Sequence, residues 1–514
     1  MATLWNNALI IAMDERHGAR PFRGDLLVDG TDIVSVTDRD ARRPAGAPTG
    51  TPDDDLTVID ATGLLLTPGL VNAHTHSWEI LLRGTSAPLP LEMWTLLSYP
   101  PADAPPASDR LVYLRTMVAA IESLRGGATT VLDDVGEVPA VTAESLAQVM
   151  RAYDDAGLRA TCAASVVDVP LVDRLPFADE VLPAGILAAS RAALPPSGEI
   201  ESAYRALTAD ARRLAETRPR IRFAPSPSAP QRVNDGLLTR IAADAARNGE
   251  IMHTHLLETR MQEVLARGRY HGRTVVEHLA DLGVLGVLGA SLTAAHGVWL
   301  TAGDLHLLAH SGATVVHNPL SNLKLGSGLL GWRALHDAGV RVALGTDGAS
   351  SNDSLSMLEV LKSAALLHTI TEPDYRRWPL VSEVLHAATV AGARAAGWGD
   401  RAGSLGPGRA ADLLVFDLTA TTAFTPLNDA AQQLVFAENG SSLHEVWVDG
   451  RRVLQDGRST LLDERMLLAE FRLEAAAYLE AALPRWRARQ AGAEPYLREA
   501  YLRAVAVPQN DELL

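Results

Sequence analysis

Short apolar runs alternate with amphipathic helical segments through the middle of the chain, from about residue 69 to residue 403. Eight of these runs are rich in Val, Ile, Leu and Ala, which is typical of parallel strands covered on both faces. They occupy residues 69–76, 127–134, 158–166, 220–227, 249–257, 291–298, 312–319 and 340–348. Repeated βα units predict an α/β fold, and eight of them predict a (β/α)8 barrel of the TIM type.

Strand-like alternation with Asp-Gly and Gly-Arg turns also marks both ends of the chain. It covers residues 25–37 and 56–69 on one side and 411–419 and 443–458 on the other. We therefore expect a small β-sandwich domain built from both termini. The predicted division is residues 1–68 and 404–460 for the β domain, 69–403 for the barrel and 461–514 for a helical extension packed outside it.

Polar side chains stand where the predicted barrel strands end, which is the active-site face of such barrels. These side chains are His74, His76, His253, His255, His296, His317 and Asp347. One His-x-His pair is a weak signal by itself. A carboxylate such as Asp347 is costly to bury without a partner, however, and imidazole and carboxylate groups together suit a borderline divalent ion such as zinc.

Composition restricts the class of protein. The formal net charge of −16 argues against nucleic acid or an anionic membrane as a partner and leaves a small molecule. The single cysteine, Cys162, excludes an intrachain disulfide or a thiolate-rich metal site, and its apolar surroundings predict a core residue. Neither a signal peptide nor an apolar run of membrane-spanning length is visible, so we expect a cytoplasmic protein.

Six motifs together resemble a known family. They are "PGLVNAHTH", "HTHLLET", "AAHGVWL", "HNPLSNLKLGSG", "LGTDGASSNDSLSM" and "GSLGPGRAADLLVFD". In this order they resemble the amidohydrolase superfamily, in the branch with cytosine and guanine deaminases, adenosylhomocysteine-type deaminases and triazine hydrolases. The resemblance extends from about Leu26 to Gly457 and implies a metal-dependent hydrolase.

The resemblance also implies roles for single residues. The implied metal ligands are His74, His76, His255 and Asp347. The implied catalytic groups are Glu258, as the acid and base, His296, which orients the water, and Asp347. The alternatives are a salt bridge between Glu258 and Arg260 and a core hydrogen bond for His296. We expect His253 to be structural, and His317 and Asn322 to shape their loop.

The number of metal ions follows from the lysines. Binuclear members of the superfamily bridge their ions with a lysine on the fourth strand, and this chain has no lysine before Lys324. We therefore predict one divalent metal per chain, with zinc favoured over iron, although three histidines and an aspartate serve either ion.

The substrate pocket is the least determined part. Three aromatic residues of the first loop, Trp78, Trp94 and Tyr99, are candidates for its walls, and so is Ser226. Adenosylhomocysteine-type deaminases carry a glutamate and a histidine where this chain has Ala102 and Ser226, which argues against a nucleoside. The long connection 167–199 is a candidate lid or pocket wall.

Three functions remain open from the sequence. The first is hydrolysis of a C–N bond in a small, aromatic or heteroaromatic molecule, by amide cleavage or by deamination of an aminoheterocycle. The second is dechlorination or dealkylamination of a triazine-like ring. The third, a non-catalytic barrel scaffold, is disfavoured because all the implied metal ligands are present. Related proteins imply a homodimer or homotetramer.

Overall fold

The computed structural model describes residues 2–39, 56–98, 105–138, 140–509 and 513. Its strands are β1 Ala2–Ile10, β2 Phe22–Asp29, β3 Asp32–Asp38, β4 Leu56–Asp60, β5 Leu64–Pro68, β6 Leu70–Thr75, β7 Ala128–Val135, β8 Arg159–Val166, β9 Ile221–Pro227, β10 Met252–Leu256, β11 Leu292–His296, β12 Thr314–His317, β13 Arg341–Leu344, β14 Leu413–Asp417, β15 Leu443–Val448, β16 Arg451–Gln455 and β17 Arg458–Ser459.

Helices follow most of the central strands. They are α1 Leu91–Ser98, α2 Asp109–Arg125, α3 Ala143–Ala156, α4 Ala178–Val181, α5 Ala184–Ala192, α6 Ser197–Glu216, α7 Asp235–Asn248, α8 Arg260–Arg269, α9 Val275–Asp281, α10 Val284–Leu288, α11 Ala302–Ser311, α12 Pro319–Lys324, α13 Trp332–Asp337, α14 Met357–Leu367, α15 Val381–His386, α16 Gly392–Ala395, α17 Ala430–Phe436 and α18 Glu464–Ala506. Short 3-10 turns include Ser77–Leu82 and Pro230–Arg232. No helix among the described residues is long and apolar enough to cross a membrane.

Two parallel four-stranded sheets form the centre of the α/β fold. Their strand orders are β6-β7-β8-β9 and β10-β11-β12-β13. Every residue of β6, β7, β10, β11 and β12 is buried, which explains why the sequence shows apolar runs here rather than alternation. Seven of the eight predicted strand segments contain one of these strands, and β7 extends one residue beyond the predicted segment 127–134.

Single backbone hydrogen bonds connect the two sheets at both edges. At one edge the amide of His255 donates to the carbonyl of Ser228 at 2.9 Å. At the other edge the amide of Asp347 donates to the carbonyl of His74 at 3.0 Å. The ladder between the described strands is interrupted at these two places, so the structure shows two adjoining sheets and not one continuous barrel ladder. The carboxyl ends of all eight strands nevertheless meet on one face.

Strands from both chain ends form one mixed sheet, in the order β17-β16-β15-β14-β5-β1-β2-β3, with β4 paired to β1. Trp5 of β1 and Trp447 of β15 are not on neighbouring strands, yet their ring centroids lie 5.1 Å apart. The sheet therefore curves back on itself around a small apolar core. Buried Arg159 joins it to β8 through ion pairs with Asp412, at 2.8 Å, and with Asp449.

The C-terminal helix packs against four other helices. It contacts α1, α2, α4 and α8, and α1 itself follows the first central strand on the active-site face. Trp486 of α18 packs in one cluster with Trp94 of α1, while Leu497 shares a second cluster with Met93. The long connection after β8 belongs to that second cluster through Val172 and neighbouring apolar residues. It therefore supports α1 from outside.

Candidate metal centre

Four side chains converge at the carboxyl ends of β6, β10 and β13. The ligand-type nitrogens of His74, His76 and His255 all lie within 4.8 Å of one another. Asp347 Oδ1 lies 3.4 Å from His74 Nε2 and 3.3 Å from His76 Nε2. All four side chains are buried. The two strand ends and the His-x-His pair thus place three imidazoles and one carboxylate around one point.

The three imidazoles are held by their other ring nitrogens. His76 Nδ1 bonds the Asp134 carbonyl at 2.8 Å, and His255 Nδ1 bonds the Ser228 carbonyl at 2.7 Å. His74 Nδ1 contacts His253 Nε2 at 3.1 Å, which places His253 behind the site. This is how metal-binding histidines are usually oriented by their surroundings.

The inward-facing atoms fit a divalent ion. The Nε2 atom of His74 is buried and faces Asp347 Oδ1 at 3.4 Å, and those of His76 and His255 approach to 3.3 Å. Two imidazole nitrogens at that distance suit a shared cation. Three nitrogens and one carboxylate oxygen are also ligands that zinc accepts.

The electrostatic field at this point favours positive charge. Burial opposes protonation of His76, but Asp347, Glu79 and Asp134 outweigh it and raise the pKa of His76 to about 9. Burial lowers the pKa of His74 to about 4. Although burial alone would raise it, the hydrogen bond and charges of neighbouring histidines hold the pKa of Asp347 well below its usual range. The neighbouring carboxylates therefore favour the protonated form of His76.

Glu258 and His296 stand next to this cluster. His296 Nε2 lies 3.8 Å from Glu258 Oε2, and His296 Nδ1 lies 3.0 Å from Asn322 Oδ1. Burial raises the pKa of Glu258, which helps a carboxyl group to carry a proton near neutral pH. The salt bridge between Glu258 and Arg260 is not formed, because Arg260 pairs with Glu263. Asn322, which we expect to shape its loop, also contacts His296 through its side-chain oxygen.

Three residues at these strand ends have a strained backbone. Leu257, His296 and Asp347 have φ values of 44°, 75° and 61°, in the left-handed region that non-glycine residues rarely adopt. Such strain is typical of functional sites, where the surrounding structure holds it.

A cavity of about 330 Å³ opens on the cluster. Leu91, Trp94 and Leu325 give it an apolar wall. Its lining comprises His76, Glu79, Leu91, Trp94, Thr95, Arg232, His255, Glu258, His296, Leu325, Asp347 and Ser351. Apolar walls with a few polar groups on one side are typical of small-molecule sites.

Glu79 is a wall residue that the sequence reading missed. Its Oε2 atom accepts hydrogen bonds from the backbone and side chains of Ser350 and Ser351 at 2.9 to 3.0 Å, while Oε1 is buried without a partner in the described structure. Gly348 permits this contact, because an added Cβ would lie 1.9 Å from the Glu79 carboxyl carbon. A glutamate inside the apolar segment "SWEILL" was the available signal.

The residues expected in the pocket have different locations. Trp94 lines the cavity at the metal cluster. Trp78 lines a neighbouring cavity of about 420 Å³ against α18, on the other side of the turn Ser77–Leu82. Ser226 is fully buried, with Oγ 3.4 Å from His253 Nδ1, and is not part of the cavity lining. Tyr99 and Ala102 lie outside the described residues.

The two tryptophans should differ in their effect on catalysis. We expect Trp94→Leu to lower kcat/KM about tenfold, since an aromatic contact with substrate is worth roughly 1 kcal/mol beyond the area it buries. Trp78→Leu should change kcat/KM less than about threefold, because Trp78 faces the other cavity. Steady-state kinetics of both variants, with melting temperatures to correct for stability, decide this. An equal loss in both would contradict the assignment.

Comparisons with known proteins support a metal-dependent hydrolase. The chain matches the amidohydrolase family over residues 65–453. It is 34% identical over 433 residues to a 5'-deoxyadenosine deaminase of Methanothermobacter thermautotrophicus, covering 84% of this chain and 90% of the relative. An adenosine deaminase structure from Xanthomonas campestris with bound zinc has a TM-score of 0.74 and 30% identity, covering 93% and 98% of the two chains.

A triazine hydrolase structure from Arthrobacter aurescens has a TM-score of 0.76 over 92% of this chain and 99% of its own, at 22% identity. That similarity shows the fold alone. Together the fold, the cluster and the relatives define a metal-dependent hydrolase that acts on C–N bonds. The chain belongs to the amidohydrolase family.

Proposed function

We propose that the chain hydrolytically deaminates an amino-substituted heteroaromatic ring of the adenosine type. The observation that carries the proposal is the placement of Glu258 and His296 beside the histidine and aspartate cluster, at the base of a cavity with an apolar wall. Relatives named as deaminases of adenosine-type compounds support deamination over amide cleavage.

We also propose that His74, His76, His255 and Asp347 hold one zinc ion. Zinc is favoured over iron by the related structure with bound zinc. One ion is favoured because the fourth central strand has no lysine to bridge two. When bound, such an ion lowers the pKa of a coordinated water from 15.7 to about 7.

Glu258 then serves as the base and the acid. Its carboxylate accepts a proton from the attacking water and delivers it to the departing amino nitrogen, which leaves as ammonia. His296 orients the water. If His296 Nδ1–H donates to Asn322 Oδ1, its Nε2 atom is free to accept a hydrogen bond from the water.

The proposal covers substrate rings with and without an attached sugar. The absence of the two nucleoside contacts, at Ala102 and Ser226, argued against a nucleoside from the sequence. The names of the relatives argue in the other direction. The proposed substrate class therefore includes both free aminoheterocycles and their nucleosides.

The closed barrel, the domain bounds, the oligomeric state and the cellular location are proposals too. We propose that the two four-stranded sheets complete one eight-stranded barrel over residues 69–403. Residues 1–68 and 404–460 would form the β sandwich, and residues 461–514 the helical extension. A homodimer or homotetramer and a cytoplasmic location remain predictions from the sequence.

Product analysis tests the proposed reaction. Zinc-loaded protein is incubated with adenine, adenosine, 5'-deoxyadenosine, other aminoheterocycles, aryl amides and a chlorotriazine, and products are identified by mass. Replacement of NH by O in an aminoheterocycle, absent from Glu258→Gln, is the expected result. Release of an acid and an amine would establish amide hydrolysis instead, and loss of chloride would establish the triazine reaction.

A further inference from the structure

We propose that Glu92 is a positioning residue, which ties the substrate wall α1 to the backbone that presents Glu258. The proposal rests on the assignment of Glu258 as acid and base. It concerns how that group is held in place, whichever C–N bond is cleaved.

The link consists of three hydrogen bonds. Thr259 Oγ1 donates to Glu92 Oε1 at 2.6 Å. The same Thr259 oxygen begins α8 by accepting from the amide of Gln262 at 3.4 Å. Gln262 Oε1 in turn accepts from the amide of Glu258 at 2.9 Å. Glu92 on one helix is therefore three bonds away from the main chain of the catalytic glutamate.

Glu258 needs such support. Leu257 before it has a φ of 44°, which an unsupported backbone would leave. The Glu258 carboxylate has His296 Nε2 as a neighbour only at 3.8 Å, which is beyond hydrogen-bond distance. Its position is thus set mainly by its backbone and by the amide contact with Gln262.

A buried carboxyl group is energetically unfavourable at the position of Glu92. Burial raises its pKa to about 7, with the Thr259 hydrogen bond acting in the opposite direction. Its Oε2 atom is buried without a hydrogen-bond partner in the described part of the chain. An apolar side chain at this position would avoid this cost. A carboxyl group here makes sense if its bond to Thr259 serves the site.

The position of α1 makes the link relevant to substrate. Leu91, Trp94 and Thr95 of this helix line the cavity, so a bound ring presses on the element that carries Glu92. On its other side Met93 and Leu96 pack against α18. Contact between substrate and α1 is thereby connected to the placement of Glu258.

The chain contains a matched control for this bond. Thr274 begins α9 as Thr259 begins α8, and its hydroxyl also donates to a carboxylate of another helix, Asp304 of α11. Neither residue lines the cavity at the metal cluster. Thr274→Val therefore removes the same kind of bond at a distance from the site.

Kinetics of the zinc-loaded variants test the proposal. Glu92→Leu and Thr259→Val should each lower kcat about tenfold or more, because small displacements of a catalytic group are costly, with little change in KM and in bound zinc. The pH profile of kcat/KM should shift in both. Their double variant should lose no more than either single variant. Glu92→Gln, whose amide oxygen still accepts from Thr259, should restore most of kcat.

A second readout does not need turnover. Hydrogen–deuterium exchange of a peptide spanning residues 256–263 should quicken in Glu92→Leu and Thr259→Val, but not in Glu92→Gln or Thr274→Val. Unchanged exchange and wild-type kinetics in Glu92→Leu would overturn the proposal, and so would a loss equal to that of Thr274→Val. Failure of the proposed function would show differently, as the absence of a deaminated product from the wild-type protein.

Discussion

Glu258→Gln should lower kcat by about a thousandfold while the protein keeps its metal, since general acid–base catalysis contributes 10² to 10⁴. Glutamine has nearly the shape of glutamate but cannot take a proton from water. The raised pKa of Glu258, caused by burial, makes the wild-type carboxyl able to do so and to release the proton again. The loss should therefore fall on kcat and leave KM and zinc content near the wild-type values.

Glu445→Gln is a suitable control for this measurement. Glu445 is also buried and hydrogen-bonded, but it lies on β15 of the terminal sheet and pairs with Arg452. Its variant should retain wild-type kcat. If Glu258→Gln keeps more than about a tenth of the wild-type kcat, Glu258 does not supply the acid–base step of catalysis.

Asp347→Ala should abolish zinc binding and activity together. Asp347 Oδ1 lies within 3.4 Å of both His74 Nε2 and His76 Nε2, so its carboxylate belongs to the cluster. Losing an outer contact of a metal ligand already costs about 10- to 100-fold in affinity. Losing the ligand itself should cost more, and chelation of the wild-type protein should have the same consequence for turnover.

Thermal unfolding gives a readout that does not need substrate. Zinc at about a thousand times its Kd stabilises a folded protein by roughly 4 kcal/mol, which raises Tm. Zinc should raise the Tm of the wild type and of His278→Gln, whose histidine pairs with Asp235 away from the cluster. A Tm of Asp347→Ala that rises equally with zinc would rule out Asp347 as a ligand.

The sequence predicts the central strands and the cluster well, for a physical reason. Parallel strands buried on both faces appear as apolar runs, and polar residues at their ends stand out. His74, His76, His255 and Asp347 each follow or end such a run. Because the carboxyl ends share one face, their approach in space could be inferred without any knowledge of the loops.

The cavity walls could not be inferred in the same way. The position of Glu79 depends on hydrogen bonds from Ser350 and Ser351, which lie about 270 positions later in the chain. No local sequence pattern encodes that contact. Trp78 and Trp94 are both apolar residues of one loop region. Which of them faces the cavity depends on how the turn Ser77–Leu82 is rotated.

The packing partners of α18 could not be predicted from the sequence either. A helical segment with scattered apolar residues indicates packing on the protein, but the sequence does not say against which element. The contacts with α1 depend on where residues 91–98 lie, and that segment is set by the loop after β6.

The mixed sheet has a consequence for synthesis of the protein. Strand β5, Leu64–Pro68, pairs with β14, Leu413–Asp417, which leaves the ribosome roughly 350 residues later. At translation rates of about 5 to 20 residues per second, the N-terminal strands wait roughly 20 to 70 s with an unpaired edge. An exposed strand edge is a template for pairing with another chain, so this edge of β5 is open to such pairing during that interval.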